Sequence, residues 1–389
     1  MRIDFQSKSY LFSKNEILTF FNKLRTSKTY TQGKYLKEFE EKLSKYHNNI
    51  NCLAVSNAVS GMEMIVDVLN LKKDDEIIIP AHTYLASAYP FLRKTNKIKW
   101  SDIDLRSRLS NLDLIKSKIT KKTKVIVLVH LYGYMVDLKP IVKFAKEKKI
   151  ILIEDAAQSI GCSIDEKKAG TFGDFSIISF QSQKNISTLG EGGALLYKNS
   201  KYTKIFSQLR HNGHEPYTNQ IDYWKPAMTN AVLPNMFNRS ILPHNFCLPE
   251  LSCIAGIHLL KKINLINNIK RKNANYFFKK IKNLDNFIHF NKDLSLRNNF
   301  HLMIGFCKNV NRDKLIKLMN TKYKIKCITQ YYPLYKYTLF KNVKKQKCLN
   351  TELFYKNMIS IPFHYYLSFE EINYISNSLI KSVKELIET

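Results

Sequence analysis

The sequence contains no continuous apolar run of about 20 residues, the length that a membrane-spanning helix needs. Its N-terminus, MRIDFQSKSYLF, lacks both the apolar segment and the small-residue cleavage site of a signal peptide. The seven cysteines are an odd number and form no C-x-x-C pair, so neither a disulfide framework nor a zinc site is indicated. These absences predict a cytoplasmic protein with free thiols.

Acidic residues are scarce: 32 Asp and Glu stand against 62 Lys and Arg, which gives a formal net charge of +30. The basic residues are spread along the whole chain without a long block, and no nucleic-acid-binding motif accompanies them. We therefore expect no nucleic-acid partner. The charge favours an anionic substrate, such as a nucleotide diphosphate. The 389 residues are 44% hydrophobic, which is enough for roughly two domains.

The chain is organised around residues 151–197, where three short apolar runs predict buried strands at 151–153, 175–180 and 194–197. Asp155 follows the first run and Lys184 follows the second. Pyridoxal phosphate (PLP) requires a lysine amine, a carboxylate for its ring nitrogen and a phosphate cradle. Each residue alone has an ordinary explanation, a surface lysine or a helix N-cap, but the pair in this order favours a PLP site.

Four motifs in this stretch, EDAAQS, GTFGDF, SFQSQKN and GEGGALL, resemble consecutive signatures of the DegT/StrS-type sugar nucleotide aminotransferases. The resemblance extends from about Tyr30 to near the C-terminus. It implies an α/β fold of the aspartate aminotransferase type (fold type I). A large PLP-binding domain with a mixed, mostly parallel sheet flanked by helices would occupy residues 1–250. A connecting helix and a smaller α+β domain would occupy residues 251–389.

The same resemblance assigns the cofactor site. Lys184 would form the Schiff base, Asp155 would pair with the pyridine nitrogen, Gln158 would lie by the phenolic oxygen and Ser179 would contact the phosphate. The start of the helix predicted after residue 57 adds Ala58, Val59 and Ser60 as phosphate contacts, because backbone N–H groups at a helix start bind anions. The usual Gly-Thr of the family is Ala58-Val59 here, which removes a hydroxyl.

Three further positions rest on the resemblance in weaker sequence context. His82, just before Thr-Tyr, would lie over the cofactor ring, although a lone histidine is more often structural. His301 would face the substrate. Asn245, in HNFCLPEL, would reach the phosphate of a neighbouring subunit, which implies a homodimer with shared active sites; the arginine that relatives carry nearby is Cys247 here.

Outside the central stretch, residues 125–129, an amphipathic pattern over 138–145 and residues 151–153 predict a βαβ unit and hence a parallel sheet. Ligands bind at the carboxyl ends of such strands. We also expect one long helix over 251–280, and in the C-terminal domain strands near 299–306 and 325–332 with helices at 312–319 and 368–383. Residues 208–245 predict a long functional loop, in which His211 and His214 lack further ligands for a metal site.

These patterns predict a PLP-dependent aminotransferase that moves an amino group, from glutamate by resemblance, to a nucleotide-linked keto sugar. Such a product would serve surface polysaccharide (lipopolysaccharide or capsule) or glycoconjugate biosynthesis. One alternative is a sugar dehydratase or deoxygenase on the same scaffold, but those relatives carry histidine at the position of Lys184. The other is a non-catalytic PLP-binding regulator, a class that carries an added DNA-binding domain, and no such segment precedes residue 30.

Overall fold

The structure is a computed structural model that describes residues 1–5, 12–215 and 230–388. The helices are α1 (Lys14–Arg25), α2 (Lys34–Tyr46), α3 (Ala58–Val68), α4 (Leu112–Lys116), α5 (Leu138–Glu147), α6 (Thr203–Arg210), α7 (Glu250–Leu260), α8 (Ile263–Lys280), α9 (Arg312–Thr321), α10 (Leu349–Asn357) and α11 (Phe369–Glu388). The strands are β1 (Asn51–Val55), β2 (Glu76–Pro80), β3 (Ile98–Ser101), β4 (Thr123–Val129), β5 (Ile151–Asp155), β6 (Ser163–Ile164), β7 (Lys167–Lys168), β8 (Phe175–Ser179), β9 (Gly193–Tyr197), β10 (Asn235–Met236), β11 (Arg239–Ser240), β12 (Ile288–Phe290), β13 (Met303–Cys307) and β14 (Met358–Ile361).

A seven-stranded sheet in the order β1-β9-β8-β5-β4-β2-β3 forms the centre of the larger part. Its strands are short runs rich in Ile, Val and Leu and are buried along most of their length, as expected for a sheet covered on both faces. Neighbouring pairs are parallel except where β9 meets β1 and β8. The predicted mixed, mostly parallel sheet and the unit β4-α5-β5 are confirmed.

Several residues of the predicted site lie along one edge of this sheet because several strands end there together. Ser179 at the end of β8 is in register with Gly193 at the start of the antiparallel β9. Gly193 in turn faces Val55 at the end of β1, and Asp155 ends β5, the other neighbour of β8. The carboxyl ends of the parallel strands therefore meet the N-terminus of α3, which begins three residues after Val55.

A second, smaller sheet in the order β12-β13-β14 is antiparallel and packs in a hydrophobic core of its own. That core draws on α8, α9 and α11, and on Ile3 from the N-terminus. The first core includes buried residues of α7 and six buried residues between positions 334 and 358 of the C-terminal part. The division at residue 250 stays a prediction.

Two expectations for the C-terminal part are wrong. The single helix over 251–280 is two helices, α7 and α8, separated by Lys261 and Lys262. Neither residue is Gly or Pro, and the apolar pattern continues across the break, so the sequence carries no signal for it. The expected strand at 325–332 makes only isolated bridges, from Ile325 to Ile3 and from Ile328 to Ser360, while the unexpected β14 pairs with β13.

Among the described residues, no helix is long and apolar enough to cross a membrane. All seven cysteines are free, and most are buried.

Glu250, the first residue of α7, caps a distant helix. Its carboxylate accepts hydrogen bonds from the backbone N–H groups of Gly33 (3.1 Å), Tyr35 (2.9 Å) and Leu36 (3.0 Å) at the start of α2. The N-cap residue Gly33 has no side chain that could do this, and the negative charge also suits the positive end of the helix dipole. Glu250 is fully buried, so its carboxylate has no access to water and relies on these donors for its hydrogen bonds.

We expect Glu250→Ala to lower the free energy of unfolding by about 3 kcal/mol, because it leaves buried N–H groups without acceptors. Glu41→Ala, at an exposed position on α2, is the matched control and should change stability by no more than about 0.5 kcal/mol. Urea unfolding followed by circular dichroism measures both. Equal stability of the two variants would contradict the capping role.

Candidate active site

Lys184 lies in the loop that joins β8 to β9, and its side chain is partly buried. Its backbone N–H donates to the carbonyl of Gln181 (2.8 Å), which holds the loop in a turn. Burial lowers the pKa of the Lys184 ammonium from its usual value, while the negative charges of Asp155 and Glu191 act in the opposite direction. A lysine in this position offers an unprotonated, nucleophilic amine at lower pH than a surface lysine does.

Asp155 is buried at the end of β5 and its carboxylate is held from both sides. The Ser87 hydroxyl donates to Oδ2 (2.6 Å), and the Ala157 backbone N–H donates to Oδ1 (3.1 Å). Asp155 thus opens a turn, and the alternative of a helix N-cap is not realised. The contact of Ser87 with Asp155 left no trace in the sequence, because a serine in a short 3₁₀ helix 68 residues away belongs to no motif.

Gln158 is buried close to two tyrosines. Its Oε1 accepts from the backbone N–H of Tyr132 (2.7 Å), and its Nε2 donates to the Tyr331 hydroxyl (3.1 Å). The rings of Tyr132 and Tyr331 stack with centroids 6.2 Å apart. Both amide atoms are therefore engaged, and Gln158 has a fixed orientation beside Asp155.

The start of α3 forms an anion cradle. Asn57 caps the helix by accepting from the N–H of Ser60 (2.9 Å), and the Ser60 hydroxyl bonds to Ser56 (2.9 Å). Within the described parts of the chain, the N–H groups of Ala58 and Val59 have no acceptor. Two open donors at a helix N-terminus are what a phosphate group binds.

Gly193 shows how closely the sheet approaches this cradle. A Cβ atom there would lie 2.4 Å from the Ala58 nitrogen, a distance that real Cβ atoms do not reach. The open N–H donors, Ser179 in register with Gly193, and the lysine loop all lie at the same sheet edge. The residues present therefore fit a phosphorylated cofactor that is bound covalently by Lys184.

His82 is buried, and its contact with Tyr132 shows which ring nitrogen carries the proton. The Tyr132 hydroxyl donates to the Gln330 carbonyl (2.9 Å), so the contact of 2.5 Å between that hydroxyl and His82 Nε2 must use the proton of His82. Burial lowers the pKa of His82 to about 3. His82 is thus a neutral donor to Tyr132, which itself contacts Gln158; its place over the cofactor ring stays a prediction.

His301 is buried beside a narrow cleft of about 50 Å³ that Lys184 also lines. Burial, followed by the charges of Lys184 and Lys270, holds the pKa of His301 well below its usual value.

Lys270, on α8, is a buried lysine that the sequence did not single out. Its Nζ donates to Asn185 Oδ1 (3.0 Å) and to the His301 carbonyl (3.3 Å), and none of the ion pairs found in the described residues involves it.

Asn245 is exposed, and its backbone pairs with His211. Its predicted contact with a second subunit stays a prediction.

Cys247, at the position of the family's arginine, accepts a hydrogen bond from Gln32 (2.7 Å) and lies against the Arg210 carbonyl. The long loop expected over 208–245 contains β10 and β11 near its end, and residues 216–229 lie outside the described chain. In the described ranges no three His, Cys, Asp or Glu side chains form a metal site.

Burial lowers the pKa of Lys270 from 10.5 to about 7. Between these values the unfolded chain binds a proton that the folded chain does not, so the free energy of unfolding rises with pH. We expect the stability of Lys270→Met, relative to wild type, to increase as pH falls from about 10.5 to about 7 and then to stay constant. Lys272→Met, exposed on the same helix, should show no such trend. Urea unfolding across this pH range measures the free energy of unfolding of each variant. If Lys270→Met and wild type changed in parallel with pH, the lowered pKa of Lys270 would be contradicted.

The sequence pattern of the DegT/DnrJ/EryC1/StrS aminotransferase family matches residues 12–380. GDP-perosamine synthase from Escherichia coli O157:H7 is 26% identical over 360 residues, which are 90% of each chain. GDP-4-keto-6-deoxy-D-mannose 3-dehydratase from Escherichia coli O55:H7 is 28% identical over 379 residues, with 91% of this chain and 94% of that enzyme covered. The structure of NtdA from Bacillus subtilis with bound cofactor PMP superposes with a TM-score of 0.85 at 24% identity, with 98% of this chain and 85% of NtdA covered.

The match extends over nearly the whole chain and includes the lysine loop, the aspartate strand and the helix start described above. The predicted fold, the aminotransferase class and the pyridoxal phosphate cofactor are confirmed. The chain belongs to the DegT/DnrJ/EryC1/StrS aminotransferase family.

Proposed function

We propose that this enzyme transfers an amino group to a keto sugar linked to a nucleoside diphosphate. The observation that carries the proposal is the partly buried Lys184, with its lowered pKa, beside an oriented Asp155 carboxylate. When bound, pyridoxal phosphate supplies a ring that accepts electrons from the α-carbon of an amino donor. The side chains of this protein perform the binding and the proton transfers.

Each residue has a defined task in this proposal. Lys184 would hold the cofactor covalently, and its amine would serve as the general base and acid at the donor's α-carbon. Asp155, oriented by Ser87, keeps a proton on the ring nitrogen. The N–H groups of Ala58 and Val59, with Ser179, hold the phosphate. Gln158 would lie beside the phenolic oxygen of the cofactor. Its amide is oriented by the hydrogen bond that it donates to the Tyr331 hydroxyl.

The substrate class rests on relatives and on charge. GDP-perosamine synthase and the GDP-keto sugar dehydratase are both named for nucleotide sugars. A net charge of +30 favours the approach of a nucleoside diphosphate. We include glutamate as the amino donor, surface polysaccharide or glycoconjugate synthesis as the pathway, and the cytoplasm as the compartment. The compartment is consistent with seven free cysteines.

The similarity to a dehydratase raises a second reaction, loss of water from the sugar, that must be distinguished from amination. By resemblance, dehydratases of this scaffold carry histidine where this chain has Lys184, because an amine at that position allows transamination to finish. The 28% identity to a dehydratase therefore does not transfer its reaction. The lysine favours the aminotransferase.

We expect Lys184→Ala to abolish the PLP adduct that borohydride fixes to the protein, because Lys184 is the lysine that the resemblance assigns to the Schiff base. Lys201→Ala, at an exposed position, is the control and should keep the adduct. Intact-protein mass spectrometry after reduction measures both. A fixed adduct on the Lys184→Ala variant would refute the assignment.

A screen of nucleotide keto sugars with glutamate should yield an amino sugar in which the keto oxygen is replaced by an amino group. Mass spectrometry of the sugar nucleotide detects this change and also detects loss of water, the dehydratase outcome. The Lys184→Ala variant provides the blank. Dehydration without amination would replace the proposal by the dehydratase reading.

The proposal extends to a homodimer whose active sites are shared. Asn245 is exposed at the end of the loop that precedes α7, in a segment that resembles the turn by which relatives reach a neighbour's phosphate. In a two-fold dimer each such loop would serve the other chain. A contact of this kind is tested by complementation between two inactive variants.

Lys184→Ala and Asn245→Asp homodimers should each be nearly inactive, the second because a carboxylate would face the phosphate. After random re-pairing half of the dimers are hybrids, and each hybrid holds one intact site, so roughly a quarter of wild-type activity should return. Native mass spectrometry confirms the hybrids. If confirmed hybrids stay inactive, Asn245 does not act across the interface.

A further inference from the structure

Asn185, the residue after the reactive lysine, lies at the centre of a buried hydrogen-bond network. Its Nδ2 donates to Asn267 Oδ1 (3.0 Å) and to the backbone carbonyl of Asn299 (3.5 Å). Its Oδ1 accepts from Lys270 Nζ (3.0 Å) and faces Nδ1 of His301 (3.4 Å). The network joins the lysine loop to α8 and to the segment before β13.

The orientation of the Asn185 amide is fixed by groups that have only one possible role. The Asn299 carbonyl can only accept, so the Asn185 atom facing it must be the NH₂ group. Asn267 agrees, because its own Nδ2 donates to the Ile160 carbonyl (3.0 Å), which leaves its oxygen for Asn185. The Asn185 oxygen therefore points towards Lys270 and His301.

This orientation determines the tautomer of His301. An amide oxygen can only accept, so the contact with His301 Nδ1 requires a proton on Nδ1. Burial and the neighbouring charges of Lys184 and Lys270 disfavour a second proton on the ring. Nε2 then carries a lone pair, and in the described chain no residue bonds to it. His301 lines the cleft that Lys184 also lines.

We propose that Asn185, oriented by Asn299, Asn267 and Lys270, is a positioning residue that holds His301 as a neutral hydrogen-bond acceptor in the cleft. His301 then binds a hydroxyl group of the sugar and cannot donate a proton to the keto oxygen. This identification of the bound group rests on the proposed keto-sugar substrate. The assignment of the tautomer rests on this chain's hydrogen bonds alone.

The tautomer is measured by NMR on the holoenzyme with ¹⁵N-labelled histidine rings. His301→Gln identifies the His301 signals among those of the ten histidines. In the wild type we expect Nδ1 to show the shift of a protonated nitrogen and Nε2 that of an unprotonated one. In Asn185→Leu, which keeps the volume but removes the acceptor, the Nδ1 signal should move towards the unprotonated position. Asn267→Leu removes an acceptor that orients the Asn185 amide, so the Nδ1 signal of His301 should move in the same direction.

Asn273→Leu is the matched control. Asn273 is buried on α8, the helix that also carries Asn267, but its side chain donates to the Leu367 carbonyl instead of bonding to Asn185. It should leave both His301 signals unchanged. A protonated Nε2 in the wild type would overturn the proposal. Unchanged His301 signals in both Asn185→Leu and Asn267→Leu would overturn the positioning role. The NMR result needs no substrate, so it stands even if no keto sugar is aminated.

The bound group is tested with the keto sugar that the screen identifies. His301→Leu should raise KM for that sugar by up to about tenfold, the worth of one hydrogen bond, while the half-reaction with the amino donor keeps its rate. His301→Gln, whose amide oxygen can still accept, should restore part of the loss. An equal loss in both half-reactions, or no rescue by Gln, would show that Nε2 does not accept from the sugar.

Discussion

The approach of β9 to the first turn of α3 is the constraint on which the rest of the site depends. Gly193 lies so close to Ala58 that no larger residue fits without moving the helix. Because Gly193 is in register with both Ser179 and Val55, this single contact sets the distance between the sheet edge and the helix start. The anion cradle is therefore a consequence of sheet packing, and it needs no hydroxyl at position 59.

Buried charged groups surround this edge, and each is satisfied in a different way. Glu154, next to Asp155, accepts from His130 and from three backbone N–H groups of the segment that follows β7. Glu250 accepts from the start of α2. Unpaired, either carboxylate would cost several kcal/mol to bury. These contacts hold the segment after β7 against β5, and the start of α7 against the start of α2.

The sequence predicted four strands of the large sheet, β4, β5, β8 and β9, because their apolar runs are short and bounded by turns. It predicted Lys184 and Asp155 because a PLP site requires a lysine and a carboxylate. It did not reveal Ser87 or Lys270. A serine in a short 3₁₀ helix and a lysine in a helix rich in Lys and Asn have no sequence signature, because their contacts form only when distant segments meet. The break at Lys261 and Lys262 was also hidden, because α7 ends and α8 begins without a Gly or Pro between them.

Lys270 and His301 connect the two hydrophobic cores at the site. Lys270 is on α8, whose C-terminal half packs in the second core, and His301 lies two residues before β13 of the small sheet. Both contact Asn185, whose chain neighbour is Lys184. The part built on the large sheet thus carries the residues predicted to hold the cofactor, and the smaller part adds Lys270 and His301 to the cleft that Lys184 also lines. Because one amide joins the two sets, a shift of the smaller part would change what the cleft offers to a substrate while the cofactor groups keep their places.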